Sequence, residues 1–233
     1  MAQDPRRPSS GPTHLIRSIV HAVPKIHPAG RGPILAGLTV ALFGLRWRPL
    51  RWAGLAWAGA MAAFFRQPER VTPSQSGLVL APADGEVCLV DRAVPPAELE
   101  LGSEPLPHVS VFLSILDVHV QRAPLTGSVT RLEHRPGRFL AADLPEASQD
   151  NERNSMVLTD PAGRAVGVVQ IAGLVARRIV CQAEVGDILR AGQVYGLIRF
   201  GSRVDLYLPL GSSLAVLVGQ RAVGGETVIG RLP

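Results

Sequence analysis

The sequence predicts a mostly β domain, a sandwich or barrel-like body of short strands with few helices, behind an N-terminal hydrophobic helical membrane anchor. Three observations carry this. After Pro73, short apolar runs rich in Val, Ile and Leu alternate with Gly, Pro, Asn and Asp turns. The 233 residues include 24 Gly and 20 Pro, which punctuates the chain too often for long helices. Before Pro73 the texture differs: two longer apolar runs, residues 33–45 and 52–65, flank the basic stretch RWRPLR at 46–51.

Residues 1–13 read as a loosely held start, and 15–23 (LIRSIVHAV) as a short amphipathic helix. Turns and positive charge follow in PKIHPAGRGP. Neither apolar run reaches the roughly 20 residues of a simple span. Joined, they would bury Arg46, Arg48 and Arg51, which is costly in hydrocarbon. A two-span hairpin would carry those arginines across, against the positive-inside bias. The preferred reading is a shallow helical hairpin, with tryptophans at headgroup depth and arginines on phosphates. True spanning and a buried soluble hairpin are the alternatives.

Charge divides the same way. Residues 1–70 hold ten Lys or Arg against Asp4 and Glu69, whereas residues 71–233 hold 14 against 17 acidic residues. The basicity belongs to the anchor, so anionic lipid explains it and nucleic acid is not expected. Cys88 and Cys181 have no partners at metal spacing and nothing demands a disulfide between them, so a reducing compartment is assumed and no metal is expected.

In the second part, SGLVLAPADGEVCLVDRAV gives two strands around a PADG turn, with Gly85 available for unusual dihedrals. HVSVFLSILDV, residues 108–118, is a strand running into polar chemistry, and GSVTRLEHRPG a strand and a turn. Residues 138–149 are the one helical or irregular excursion. NSMVLTDPAGRAVGVVQIAG is a hairpin about DPAG. EVGDILRAGQVYGLIRFGS resembles the hairpins of biotinyl and lipoyl carrier barrels. Residues 71–233 contain no lysine, which argues against such a carrier and against lysine-bound pyridoxal phosphate.

Within IRFGSRVDLYLP, residues 198–209, the pair Gly201–Ser202 interrupts a strand. A bend or bulge explains it; so does a backbone reaction. His119 and Asp84 likewise admit bland readings, as a structural histidine and a turn aspartate.

Taken in order, FFRQPER (64–70), APADGEV (81–87), FLSILDVHVQRAP (112–124), HRPGRFLAADLPEASQDNERN (134–154) and FGSRVD (200–205) resemble the phosphatidylserine decarboxylase family in its short, bacterial and archaeal form. The resemblance spans most of the chain. It implies a proenzyme that cuts itself between Gly201 and Ser202, leaving chains of residues 1–201 and 202–233 that stay associated. It also implies that Ser202 becomes a pyruvoyl group, the only cofactor, with no metal. That group would form a Schiff base with phosphatidylserine and release carbon dioxide to give phosphatidylethanolamine.

The resemblance makes His119 the base and Asp84 the residue that orients it. Longer family members have a second histidine where this chain has Arg122; the short forms share the replacement. Asp117 is a possible helper. Arg122, Arg199 and Arg203 are candidate carboxylate or phosphate contacts, each with an ion-pair alternative. Asn151 and Asn154 are candidate headgroup contacts, Glu152 and Arg153 a fixing pair, and His134 and Phe139 candidate lining. The expected division is an anchor over 1–70 and a decarboxylase domain over 71–233, on the cytoplasmic face of the cell membrane. A homodimer is expected from family analogy alone. An archaetidylserine-type decarboxylase, a non-enzymatic membrane-tethered β carrier or scaffold, and a serine hydrolase are the alternatives.

Overall fold

A computed structural model of the chain describes residues 24–140, 150–174, 178–199 and 201–233. The expected loose start, the 15–23 helix and most of the 138–149 excursion lie outside the described residues.

The described chain begins with a helical hairpin. Helix α1 (Arg31–Phe43) and helix α2 (Arg48–Phe64) are joined by a tight turn at Gly44–Arg46. A two-stranded clasp, β1 (Lys25–Ile26) with β2 (Arg66–Gln67), ties the ends of the hairpin together. Its seam is built from small residues. A Cβ on Gly54 would stand 2.4 Å from the Ala41 nitrogen and 2.6 Å from the Gly37 oxygen, so only glycine lets the backbones meet. Gly37 with Ala41, and Gly54 with Ala58, have the four-residue spacing that packs helices in apolar surroundings.

The large side chains face outward: Leu35, Leu42, Phe43, Trp47, Trp52 and Trp57 are exposed. Such a hairpin is turned inside out for water. With its flanking turns the first arm runs from Pro28 to Arg46, 19 residues, long and apolar enough to cross a membrane by length and composition. The turns lengthen the arm beyond the apolar run seen in the sequence.

The rest is mostly β, as the alternation predicted. The strands are β3 (Leu78–Leu80), β4 (Gly85–Ala93), β5 (Leu106–Leu113), β6 (Val120–Arg122), β7 (Gly127–Arg135), β8 (Arg153–Thr159) and β9 (Ala165–Ala172). They continue with β10 (Ile179–Cys181), β11 (Ile188–Leu189), β12 (Val194–Ile198), β13 (Ser202–Tyr207), β14 (Ser213–Leu214), β15 (Arg221–Ala222) and β16 (Val228–Arg231). Eight form one curled antiparallel sheet in the order β11-β7-β8-β9-β13-β5-β4-β15. Two three-stranded sheets, β10-β12-β6 and β14-β16-β3, complete it.

The main core holds Val79, Val87, Val111, Val129, Val168, Val204 and Leu206, the inward parity of their strands. A second cluster roots the hairpin on the β body: Met61, Phe64 and Phe65 pack with Val118, Val120 and Leu197. The DPAG hairpin forms as expected, with the Asp160 carboxylate accepting from the Ala162 and Arg164 amides.

Gly85 departs from expectation. It is not among the glycines with positive φ. It is required because an added Cβ would stand 2.2 Å from the Phe112 carbonyl oxygen on the neighbouring strand. Gly85→Ala is therefore expected to destabilise the protein by about 1–3 kcal/mol, the usual cost of overpacking, read by urea denaturation. An unchanged midpoint would show that β4 and β5 can separate freely.

Candidate active site

Strand pairing brings the site together. β6 lies beside β12, with Val120 opposite Leu197, and the Ile198 amide donates to the His119 carbonyl at 3.3 Å. His119, just before β6, is thereby held alongside the segment that runs into Gly201. Gly201 has φ +64°, a left-handed conformation that glycine adopts without steric cost. Ser202 then opens β13, between β9 and β5, opposite Ala172 and Leu113. Its Oγ is buried with no hydrogen-bond partner among the described residues. An unsatisfied buried hydroxyl is costly and calls for a reason.

His119 is fully buried. Its Nδ1 lies 2.9 Å from the Asp117 carbonyl oxygen, and its Nε2 lies 3.4 Å from the Gly201 amide nitrogen. A carbonyl only accepts and an amide only donates, so the ring is neutral, with the proton on Nδ1 and a lone pair on Nε2. The Phe64 ring stands 4.2 Å from the imidazole, centroid to centroid. Burial pushes the His119 pKa down to about 4, with Arg66 adding to the fall and Asp117 opposing it. The site thus holds an unprotonated base beside a glycyl–seryl junction.

Beneath His119 runs a chain of buried amides. Gln121 donates to the His119 carbonyl at 2.9 Å, Gln170 to Gln121 at 2.9 Å, and Asn154 to Gln170 at 3.0 Å. Gln121 and Gln170 were missed in the sequence. The signal was there: Gln170 shares the inward parity of Val166 and Val168, where a polar side chain needs a buried partner.

Several sequence-named residues hold the scaffold instead of facing the junction. Asp84 takes Arg70 at 2.6 Å and the Gly224 amide at 2.8 Å, while His119 Nδ1 is taken by Asp117. Asp84 thus fastens the segment after the hairpin to the PADG turn and is not the partner of His119. Arg122 donates to the carbonyls of Gly192 and Pro68 at 2.8 and 2.6 Å, so its guanidinium is a clamp and not an open anion contact. Arg203 points to the opposite face of β13 from Ser202, because alternate residues face opposite ways. It is 1% exposed and paired with Asp205 at 2.9 Å, which also removes it as a substrate contact.

Asn154 is spent on Gln170. Asn151 is buried and grips the Leu140 backbone at both its amide and its carbonyl, and also the Ala172 carbonyl. Neither offers an open headgroup contact. His134 is exposed near Glu152, and Phe139 packs against the main core, whose members include Leu113 and Ala172 opposite Ser202. Glu152 and Arg153 take separate partners: Arg153 binds the buried carboxylate of Glu98.

Asp117 fixes the turn before His119, accepting from the Ser114 amide at 2.8 Å and from Arg221. Burial alone would raise its pKa; those bonds outweigh it and hold the carboxyl below the usual range. Arg199 keeps an open donor. Its guanidinium lies 6.0 Å from the Phe65 ring centre, and its Nε is buried without a hydrogen-bond partner among the described residues. A cavity of about 700 Å³ lies elsewhere, lined by Thr72, Leu78, Leu125, Arg164 and Arg190 among others, and none of the residues around the junction lines it. No group of three or more His, Cys, Asp or Glu that could hold a metal occurs among the described residues.

The imidazole should stay neutral far below the ordinary histidine range. Titration of the His119 ring by NMR is expected to show a midpoint near pH 4, with the neutral form present above it. A midpoint at about 6.5, the value of an unperturbed histidine, would mean that the ring is solvated.

Comparison with known proteins places these residues in a family context. A profile described as phosphatidylserine decarboxylase matches residues 57–230. A protein of Rhodococcus jostii named phosphatidylserine decarboxylase proenzyme is 58% identical, covering 100% of both chains. A like-named protein of Mycobacterium tuberculosis H37Rv is 59% identical over 98% of both, and one of Mycobacterium ulcerans is 56% identical over 100% of both.

Proposed function

Since the chain belongs to the phosphatidylserine decarboxylase family, we propose that Ser202 is the residue at which it cuts itself and from which its pyruvoyl group is made. The chain decarboxylates phosphatidylserine to phosphatidylethanolamine. The observation that carries the site assignment is the neutral His119 Nε2 at the Gly201 amide, next to an unpartnered Ser202 hydroxyl.

In this reading His119 Nε2 takes the Ser202 Oγ proton, and Oγ attacks the Gly201 carbonyl carbon. The Gly201–Ser202 C–N bond breaks, the proton passes to the departing nitrogen, and an ester joins the two pieces. Loss of the Ser202 α proton then breaks the Cβ–Oγ bond. Gly201 leaves as a carboxylate, and the remaining dehydroalanine takes up water and loses ammonia. Gly201 suits the attack because it has no side chain to shield its carbonyl and already occupies a left-handed conformation. The buried, unpartnered Ser202 Oγ, the His119 lone pair at the neighbouring Gly201 amide and the glycine itself all fit this product. When formed, the pyruvoyl group supplies the electron sink for loss of carbon dioxide.

The other residues bind, orient and return a proton. His119 is poised to reprotonate the substrate carbon, since its neutral ring can take a proton and give it back. Arg199, with its open Nε, reads a substrate carboxylate or phosphate, and Phe65 beneath it fixes its plane. The buried amides position the His119 backbone. The hairpin, apolar outside and tipped with Arg46, Arg48 and Arg51, anchors the chain in anionic lipid on the cytoplasmic face of the membrane. Its root touches both His119 and Arg199, so anchor and headgroup site share one wall.

Intact-mass analysis tests the assignment. The parent chain should give two pieces split after Gly201, the smaller without a free amine. Ser202→Ala and His119→Ala should remain single and inactive; a split Ser202→Ala chain that still releases carbon dioxide would falsify the role of residue 202. Arg199→Ala should still be cut, but kcat/KM for phosphatidylserine should fall by about 10–100-fold, the range for losing a charged hydrogen bond. An unaltered kcat/KM would remove Arg199 from the headgroup site.

A further inference from the structure

The turn between β5 and β6, residues 114–117, is firmly held. The Asp117 carboxylate accepts from the Ser114 amide at 2.8 Å, the Asp117 amide donates to the Ser114 carbonyl at 3.0 Å, and Arg221 binds the other carboxylate oxygen. Arg66, at the foot of the hairpin, donates to the Leu116 carbonyl at 2.7 Å. So braced, the turn nonetheless presents its two large aliphatic side chains to solvent: Ile115 is 57% exposed and Leu116 83% exposed. Adjacent bulky apolar residues on a rigid, outward turn contribute nothing to the core, and their ordering cost is already met by the backbone bonds.

Location says what covers them. The turn stands where the hairpin leaves the β body: Phe64 packs on His119, and Ile34 of α1 packs on the same cluster as Val118 and Val120. A bilayer that takes the exposed apolar flanks of the hairpin must come down around this root. Cations ring it. Arg66 and Arg199 are half-buried, Arg178 is exposed, and Arg199 is joined to Arg178 through its backbone amide. Apolar knuckles beside the guanidinium groups of Arg66 and Arg221, both bonded to the turn, complement a surface of acyl chains under anionic headgroups.

We propose that the turn at residues 114–117 is a second bilayer-contacting element, whose Ile115 and Leu116 side chains enter an anionic phospholipid membrane beside the hairpin root. The inference rests on the lipid-decarboxylase reading above. Its consequence is orientation. The hairpin, packed rigidly on the β body, leaves the tilt of the whole protein at the membrane unset, whereas a second contact fixes which face meets it. The turn lies two residues before His119, so that face is the one bearing the junction.

The test uses the full chain and the ratio of two activities: phosphatidylserine in vesicles with an anionic lipid, and short-chain phosphatidylserine dispersed below its micelle threshold. The double variant Ile115→Ser, Leu116→Ser is expected to lower the vesicle-to-dispersed ratio by about fivefold or more, and its co-sedimentation with the same vesicles should weaken in step. A ratio equal to the parent's overturns the proposal, whatever the absolute activity. So does a change confined to oligomeric state, which would assign the turn to a second copy of the chain.

Should the double variant fail to mature, Leu116→Trp decides. It is expected to bind vesicles more tightly than the parent, since tryptophan favours the interface, and equal or weaker binding overturns the idea. A mature parent that decarboxylates neither substrate would instead sink the functional reading, while vesicle co-sedimentation would still judge the turn.

Discussion

Strand β13 is paired along its whole length on both edges, and the candidate chemistry depends on that. From Ser202 to Tyr207 each residue faces a partner on β5 and another on β9. Such a strand cannot shift by a residue without turning Val204 and Leu206 out of the core. Its first residue is therefore fixed in space by the rest of the sheet. Gly201, just outside the ladder, takes the left-handed turn that joins this fixed strand to β12. A left-handed glycine and a fixed strand meet at one peptide bond because a rigid element begins immediately after it.

The same logic explains the opposite face of the strand. Arg203 and Asp205 form a buried ion pair there, and the Ser110 hydroxyl donates to Asp205 at 2.6 Å. His108 is close to Asp205 and bonded to Asp91, and although burial opposes it, the two carboxylates raise its pKa. A buried pair is weak evidence of net stability, but breaking one leaves an uncompensated charge. The network thus opposes alternative registers of β13 more than it strengthens the correct one.

The hairpin joins the two halves of the function physically. Phe64 buries His119 and so helps to keep the imidazole neutral, while Phe65 supports Arg199. The residues that end the second helix of the hairpin, with its apolar outer face, are those that pack on the base and on the Arg199 guanidinium. An anchor attached by a loose linker would supply proximity to the membrane but none of this tuning.

The strands and the DPAG hairpin were legible because alternation and turn chemistry are local. Gly201, Ser202 and His119 were singled out by motif resemblance, and the structure sets His119 against Gly201. Partners across the chain were not legible. Nothing near Asp84 in the sequence indicates that Arg70 and Gly224 will occupy it, and Arg122 reads like Arg199 until the carbonyls of Gly192 and Pro68 are in place. Arg203 was decidable in principle, since its parity on β13 opposes that of Ser202. Gly85 was recognised as special for the wrong reason: the crowding comes from β5, about 27 residues along the chain, at a spacing set by strand packing.

The C-terminal strands are shared out among different sheets. β13 lies inside the large sheet, β15 closes one edge of it, and β14 and β16 belong to a separate sheet with β3. The proposed cut before β13 would make the last part of the protein a thread sewn through a body to which it is no longer covalently joined. Before the cut, assembly is a unimolecular process. Afterwards, a melted molecule must find its lost thread by diffusion, against loop closures that once held the two pieces together. Maturation by such a cut would be a one-way door, with the mature protein persisting by how slowly it comes apart, not by how readily it could form again.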